Sequence, residues 1–101
     1  MKVQFPKKIK NGELVTNLQA SMAGRALGDL VSISEHSEGI VIKISKLGTS
    51  TLQFDREDEG KFAVFTLTSE KIAFAHKAFK DDVKAKLVTV IEKSGGTILE
   101  S

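Results

Sequence analysis

The chain has 101 residues, 41% hydrophobic and 28% charged, with a formal net charge of +2 at pH 7, which fits one globular domain and not a disordered chain. It contains no Cys, which excludes disulfides, thiolate metal sites and a cysteine nucleophile. The longest aliphatic run, Ile40-Val41-Ile42, is far short of a membrane span, and residues 1–8 carry charge without an apolar signal stretch, so the expectation is a cytoplasmic protein with no membrane partner.

Charge is spread unevenly: residues 1–25 sum to +4, residues 26–60 to −4 and residues 61–101 to +2. A basic arm joined to an acidic middle suits either a polyanion or self-association. In chain order, Val3 and Phe5 share one face of a short strand that Pro6 confines to a sheet edge or a free arm. Asn11-Gly12 signals a turn, and residues 17–28, rich in small side chains, read as a short helix or a flexible connection. Residues 1–27 are therefore expected to form a basic arm and connection, with Lys7, Lys8, Lys10 and Arg25 placed for salt-sensitive phosphate contacts.

From 28 to 67 the apolar period is two. Runs at Leu30–Ser34, Ile40–Ser45, Ser50–Asp55 and Lys61–Leu67 are separated by turns and by a charged loop, Arg56–Gly60, which predicts a four-stranded antiparallel meander. One face collects Val31, Ile33, Ile40, Ile42, Ile44, Leu52, Phe54, Phe65 and Leu67. The other collects Ser32, Ser34, Lys43, Ser45, Thr51, Gln53, Phe62, Val64 and Thr66.

After Thr68 the spacing lengthens. Ile72, Ala75, Phe79, Val83, Leu87 and Val90 mark one side of an amphipathic helix over 69–94, capped by Ser69 and stopped at Gly95-Gly96, with 95–101 as a tail. Two alternatives stand beside it: Asp81-Asp82 capping a second helix, and Leu87–Ile91 forming a strand that pairs across the glycines with Thr97–Leu99. The expected single domain is α+β, a meander with a long C-terminal helix packed on one face.

No phosphate loop, dinucleotide fingerprint, nucleophile elbow or metal-ligand cluster occurs, so no catalytic residue, metal or cofactor is expected. His36 reads as a solvated turn residue, His76 as a boundary residue, and Glu57-Asp58-Glu59 as a solubilising loop. The polar sheet face carries more information. Phe62 could stack an unpaired base, Lys43 could meet phosphate, and Gln53 with the hydroxyls could reach sugar or base edges. The same composition is also what any solvated antiparallel face carries. Two readings follow. One is a non-catalytic, sequence-tolerant single-stranded nucleic-acid-binding protein; the other is a small module for a protein partner, with Phe74 and Ala78 widening the apolar surface of the helix.

Gly60-Lys61-Phe62-Ala63-Val64-Phe65-Thr66-Leu67-Thr68-Ser69-Glu70-Lys71-Ile72 reads as a basic strand running into a polar cap, an acidic first turn and an amphipathic helix. With the meander before it, residues 28–93 resemble the coactivator family called positive cofactor four and, more loosely, the plant Whirly proteins. The resemblance implies single-stranded DNA on a curved sheet, a homo-oligomer of two or more chains, and Lys43, Lys46, Lys61 and Phe62 on or beside a basic groove. The chain departs from that pattern in its acidic 55–59 segment and in its extension past Gly96.

Overall fold

The computed structural model describes residues 1–22, 30–45 and 48–100. In order they form β1 (Lys2–Pro6), α1 (Asn11–Met22), β2 (Val31–His36), β3 (Gly39–Ser45), β4 (Thr49–Glu59), β5 (Phe62–Lys71), a 3-10 helix (Phe74–Phe79), α2 (Lys80–Lys93) and β6 (Thr97–Glu100). The protein is α+β with one antiparallel sheet, and the period-two stretch becomes four consecutive strands as predicted. The sheet nonetheless has six strands, in the order β2-β3-β4-β5-β1-β6. Arg25 and Lys46, and the side chain of Phe79, lie outside the described residues.

The two extra strands correct the expected arm and tail. β1 lies inside the sheet between β5 and β6, with Val3 and Phe5 in the core and the Phe5 ring edge-on to Phe65 at 5.9 Å. Pro6 is tolerated there because the β6 pairing reaches only Gln4, so the missing N–H interrupts no ladder. Asn11-Gly12 opens α1 instead of forming a free turn. Glu13 reaches back to the Lys10 backbone N–H at 3.4 Å, half of a capping box, and Leu14, Leu18 and Met22 bury a stripe at four-residue spacing.

The charged loop is also corrected. β4 runs on through Arg56, Glu57, Asp58 and Glu59 and turns only at Gly60-Lys61. Arg56 makes this possible. Its guanidinium donates to the carbonyls of Ile9 (2.7 Å) and Lys7 (2.8 Å), to Asn11 Oδ1 (2.7 Å) and to Asp58 (2.9 Å), and it lies 5.7 Å from the centre of the Phe65 ring. The bonds fasten the β1–α1 connection to β4. Lys7 and Lys8 thus belong to a pinned turn and not to a free arm, and the Lys7 N–H donates to the Lys61 carbonyl at 2.9 Å.

The predicted 69–94 helix is three pieces. Ser69 and Glu70 stay in β5, which pairs with β4 as far as Lys71 once a bulge at Gln53/Phe54 resets the register. After the 3-10 helix comes α2, a helix of 14 residues with Asp81 and Asp82 in its first turn, which matches the alternative of a second helix there. It ends in a Schellman turn. The Gly96 N–H bonds the Ile91 carbonyl (2.9 Å), the Gly95 N–H bonds Glu92 (3.2 Å), and Gly95 takes φ 93°. Thr97–Glu100 then pairs with β1 and not with residues 87–91, which remain helical.

Both helices cover the same sheet face. Of the predicted inward residues, all are buried except Leu67, which is half-buried. On the sheet, His36, Gly39 and Asp55 form one row across β2, β3 and β4. A Cβ on Gly39 would collide with the Phe54 backbone carbonyl. Gly39→Ala should therefore cost about 1–3 kcal/mol of stability, read as a lower urea midpoint; an unchanged midpoint would contradict this close approach.

Candidate ligand cavity and open sheet face

The face away from the helices carries the residues that the alternation assigned to it. Phe62 is 43% exposed, Lys43 is exposed and Gln53 is half-buried. Val64 also points this way but is buried between its register neighbours Gln4 and Glu57. The expected binding residues do not form one group. Lys7, Lys8, Lys61 and Phe62 gather at the β1–α1 and β4–β5 turns, and Lys10 caps α1. Lys43 sits opposite Thr51, eight positions along β4 from the partner of Phe62, or about 26 Å at 3.3 Å per residue.

Asp55, Glu57 and Glu59 lie between those two ends, on the same face, opposite Thr66, Val64 and Phe62. A phosphate chain running from Lys43 to Phe62 would cross three carboxylates. Lys71, facing Thr51 from β5, adds a cation beside Lys43 that the helix reading of 69–94 had concealed. His36 is half-buried at the end of β2 and is not a solvated turn residue. Its Nδ1 accepts the Glu38 N–H (3.2 Å) and its Nε2 lies 3.6 Å from Asp55, reached over the side-chain-free Gly39.

The helix side holds a feature that periodicity did not disclose. Between α2 and the sheet lies a cavity of about 540 Å³. Its floor is Ile44, Leu52, Phe54 and Leu67 from three adjacent strands, and its roof is Val83 and Leu87, one helical turn apart. The reason for the space is sequence. Leu87, Val90 and Ile91 press the C-terminal half of α2 onto the core, whereas the first two turns, Lys80–Lys86, supply Val83 as their one branched apolar side chain. One valine does not fill the gap.

Ser50 closes the end wall. Its side chain has no exposure, its Oγ accepts the Ala73 backbone N–H at 2.9 Å, and it shares a hydrogen bond of 2.5 Å with His76 Nδ1. One hydroxyl thus ties the 3-10 helix to β4 and sets where α2 begins. At the mouth, Lys80 bonds Glu70 at 2.8 Å and Lys86 bonds Asp82 at 3.0 Å. The hydrogen bond to Glu70, reinforced by its charge, raises the pKa of Lys80 above the ordinary lysine value. That pair is therefore intact at neutral pH and is lost only as alkaline pH rises through the folded-state pKa.

Comparison with known proteins gave no match to a family model, to a curated protein or to a solved structure. Among the described residues, no group of three or more His, Asp or Glu is placed to hold a metal ion, and no helix is long and apolar enough to cross a membrane.

Removing the Ser50 hydroxyl leaves the Ala73 N–H without its partner. Ser50→Ala should lower the unfolding free energy by about 1–3 kcal/mol, measured by urea denaturation. A change within error would mean that the hydroxyl does not hold the 3-10 helix in place.

Proposed function

We propose that this chain is a non-catalytic binding protein whose primary site is the cavity between α2 and the sheet, taking a small, largely apolar molecule. One observation carries the reading: a domain of 101 residues keeps about 540 Å³ of apolar-lined space open. That volume falls within the roughly 300–1,000 Å³ of small-molecule sites. Sealed and empty, such a void would cost on the order of 10 kcal/mol at about 24 cal/mol per Å³, comparable to the whole stability of a small domain. An open mouth admits water instead, and a ligand that replaces that water recovers the burial of the apolar walls.

The Ser50–His76 pair favours binding over catalysis. A serine nucleophile must reach its substrate, whereas Ser50 has no exposed surface and its oxygen already accepts the Ala73 N–H. The pair holds a wall.

The test uses N-phenyl-1-naphthylamine, a neutral dye that brightens on leaving water; a chain without Trp or Tyr adds no competing fluorescence. Saturable micromolar binding is expected. Val83→Trp, which fills the roof, should weaken it by about tenfold or more, equivalent to about 1.4 kcal/mol, with an unchanged far-UV spectrum. Equal affinity in the folded variant would refute the site.

A second reading, single-stranded nucleic acid on the open face, is favoured by the exposed ring of Phe62 beside Lys61 and the Lys7–Lys8 turn. A base stacked on that ring would gain about 1–3 kcal/mol. On this reading a fluorescent oligo-dT binds at low salt, Phe62→Ala weakens it, and affinity falls steeply with salt. A flat anisotropy trace at micromolar protein in low salt would dismiss it.

A further inference from the structure

We infer that the occupant of the cavity is an amphipathic carboxylate, its apolar body between α2 and the strands and its anionic head among the lysines of the lid; the inference rests on the ligand-binding reading above. The walls and the mouth differ in kind. Inside, the floor and roof are aliphatic or aromatic side chains, which select a body without polar groups. The lining residues with acidic or lysine side chains are Glu70, Lys80, Asp82, Lys84 and Lys86.

Helix geometry sets that charge beside the roof. Residues four apart share a face, so Val83 and Leu87 form the apolar strip, Lys80 and Lys84 follow one flank of it, and Asp82 and Lys86 the other. A ligand lying under Val83 and Leu87 therefore has its polar end within reach of flexible ammonium groups. Such a group can serve a second anion without releasing the first, because each ammonium has three N–H donors. Lys80 already gives one to Glu70, and Lys86 one to Asp82.

The sign of the head follows from the lid as a whole. Residues 74–93 hold five lysines against Asp81, Asp82 and Glu92, a net of +2. The acidic row of β4 lies on the opposite face of the sheet. An arriving anion meets a positive lid, while a quaternary ammonium would add a further cation to it. Because the mouth pairs are partly exposed, each new contact is modest and screened by salt, so the head selects among ligands while the walls supply most of the affinity.

The test is displacement of N-phenyl-1-naphthylamine from the full chain by three molecules with the same ten-carbon body: decanoate, decanol and decyltrimethylammonium. Decanoate is expected to bind about fivefold tighter than decanol at low salt, as one partly exposed ion pair allows, and the ammonium more weakly than either. The decanoate advantage should shrink at high salt and vanish in the K80Q/K84Q double variant. Decanol matching decanoate would overturn the anionic head while leaving the cavity reading intact. Dye binding that none of the three displaces would overturn the amphipath. Absence of saturable dye binding, or dye binding indifferent to Val83→Trp, would remove the cavity reading itself.

Discussion

A single buried hydroxyl decides where the second helix sits. Ser50, at the start of β4, holds the Ala73 N–H and the His76 ring, so the chain leaving β5 is fastened to the sheet before α2 begins. At the far end the Schellman turn at Ser94–Gly96 and the packing of Leu87, Val90 and Ile91 fasten α2 again. Between the two anchors, α2 spans the gap to the sheet without filling it. An empty, sealed void in a packed interior is costly, and here the space opens between Glu70 and the Lys80–Lys86 turns of α2.

The opposite face follows a different logic. Antiparallel sheets commonly bury one side only, and here both helices lie on the same side. Arg56 reinforces that arrangement by fastening the β1–α1 connection against β4 and lying over the ring of Phe65. Its continuation, Glu57 to Glu59, then becomes strand, which places acidic groups beside the ring of Phe62. Charge that looked like a solvated loop in the linear chain is a row on a surface, and it separates Lys43 from the basic end of the sheet.

The sheet was largely legible because period-two alternation is a local signal: Val31, Ile33, Ile40, Ile42, Ile44, Leu52, Phe54 and Phe65 face inward as read. What escaped depends on partners distant in sequence. β1 and β6 are short: β1 is a strand because β5 pairs with it along its length, and β6 because β1 pairs with it in turn. Pro6 argued for an edge, yet its position past the β6 ladder removes the conflict. β5 ran on through Ser69 and Glu70, because pairing with Leu52 and Gln53 outweighed the local cap pattern, so the Gly60–Ile72 segment that resembled a strand, a cap and a helix start is strand to Lys71. α1 was legible only as a possible short helix within 17–28: the turn signal at Asn11-Gly12 and small residues such as Ala20 and Ser21 hid the stripe of Leu14, Leu18 and Met22. The cavity had one trace in the sequence, the lone Val83 in the first two turns of α2. A void is a relation between elements, and periodicity within one element does not report it.

The most direct measurement is a methyl carbon–proton correlation spectrum recorded while N-phenyl-1-naphthylamine is added. Saturable shifts are expected at Ile44, Leu52, Val83 and Leu87, which enclose the cavity, with Val41 and Val64 on the opposite face unmoved. Shifts confined to Val41 and Val64, with the cavity methyls still, would contradict binding in the cavity.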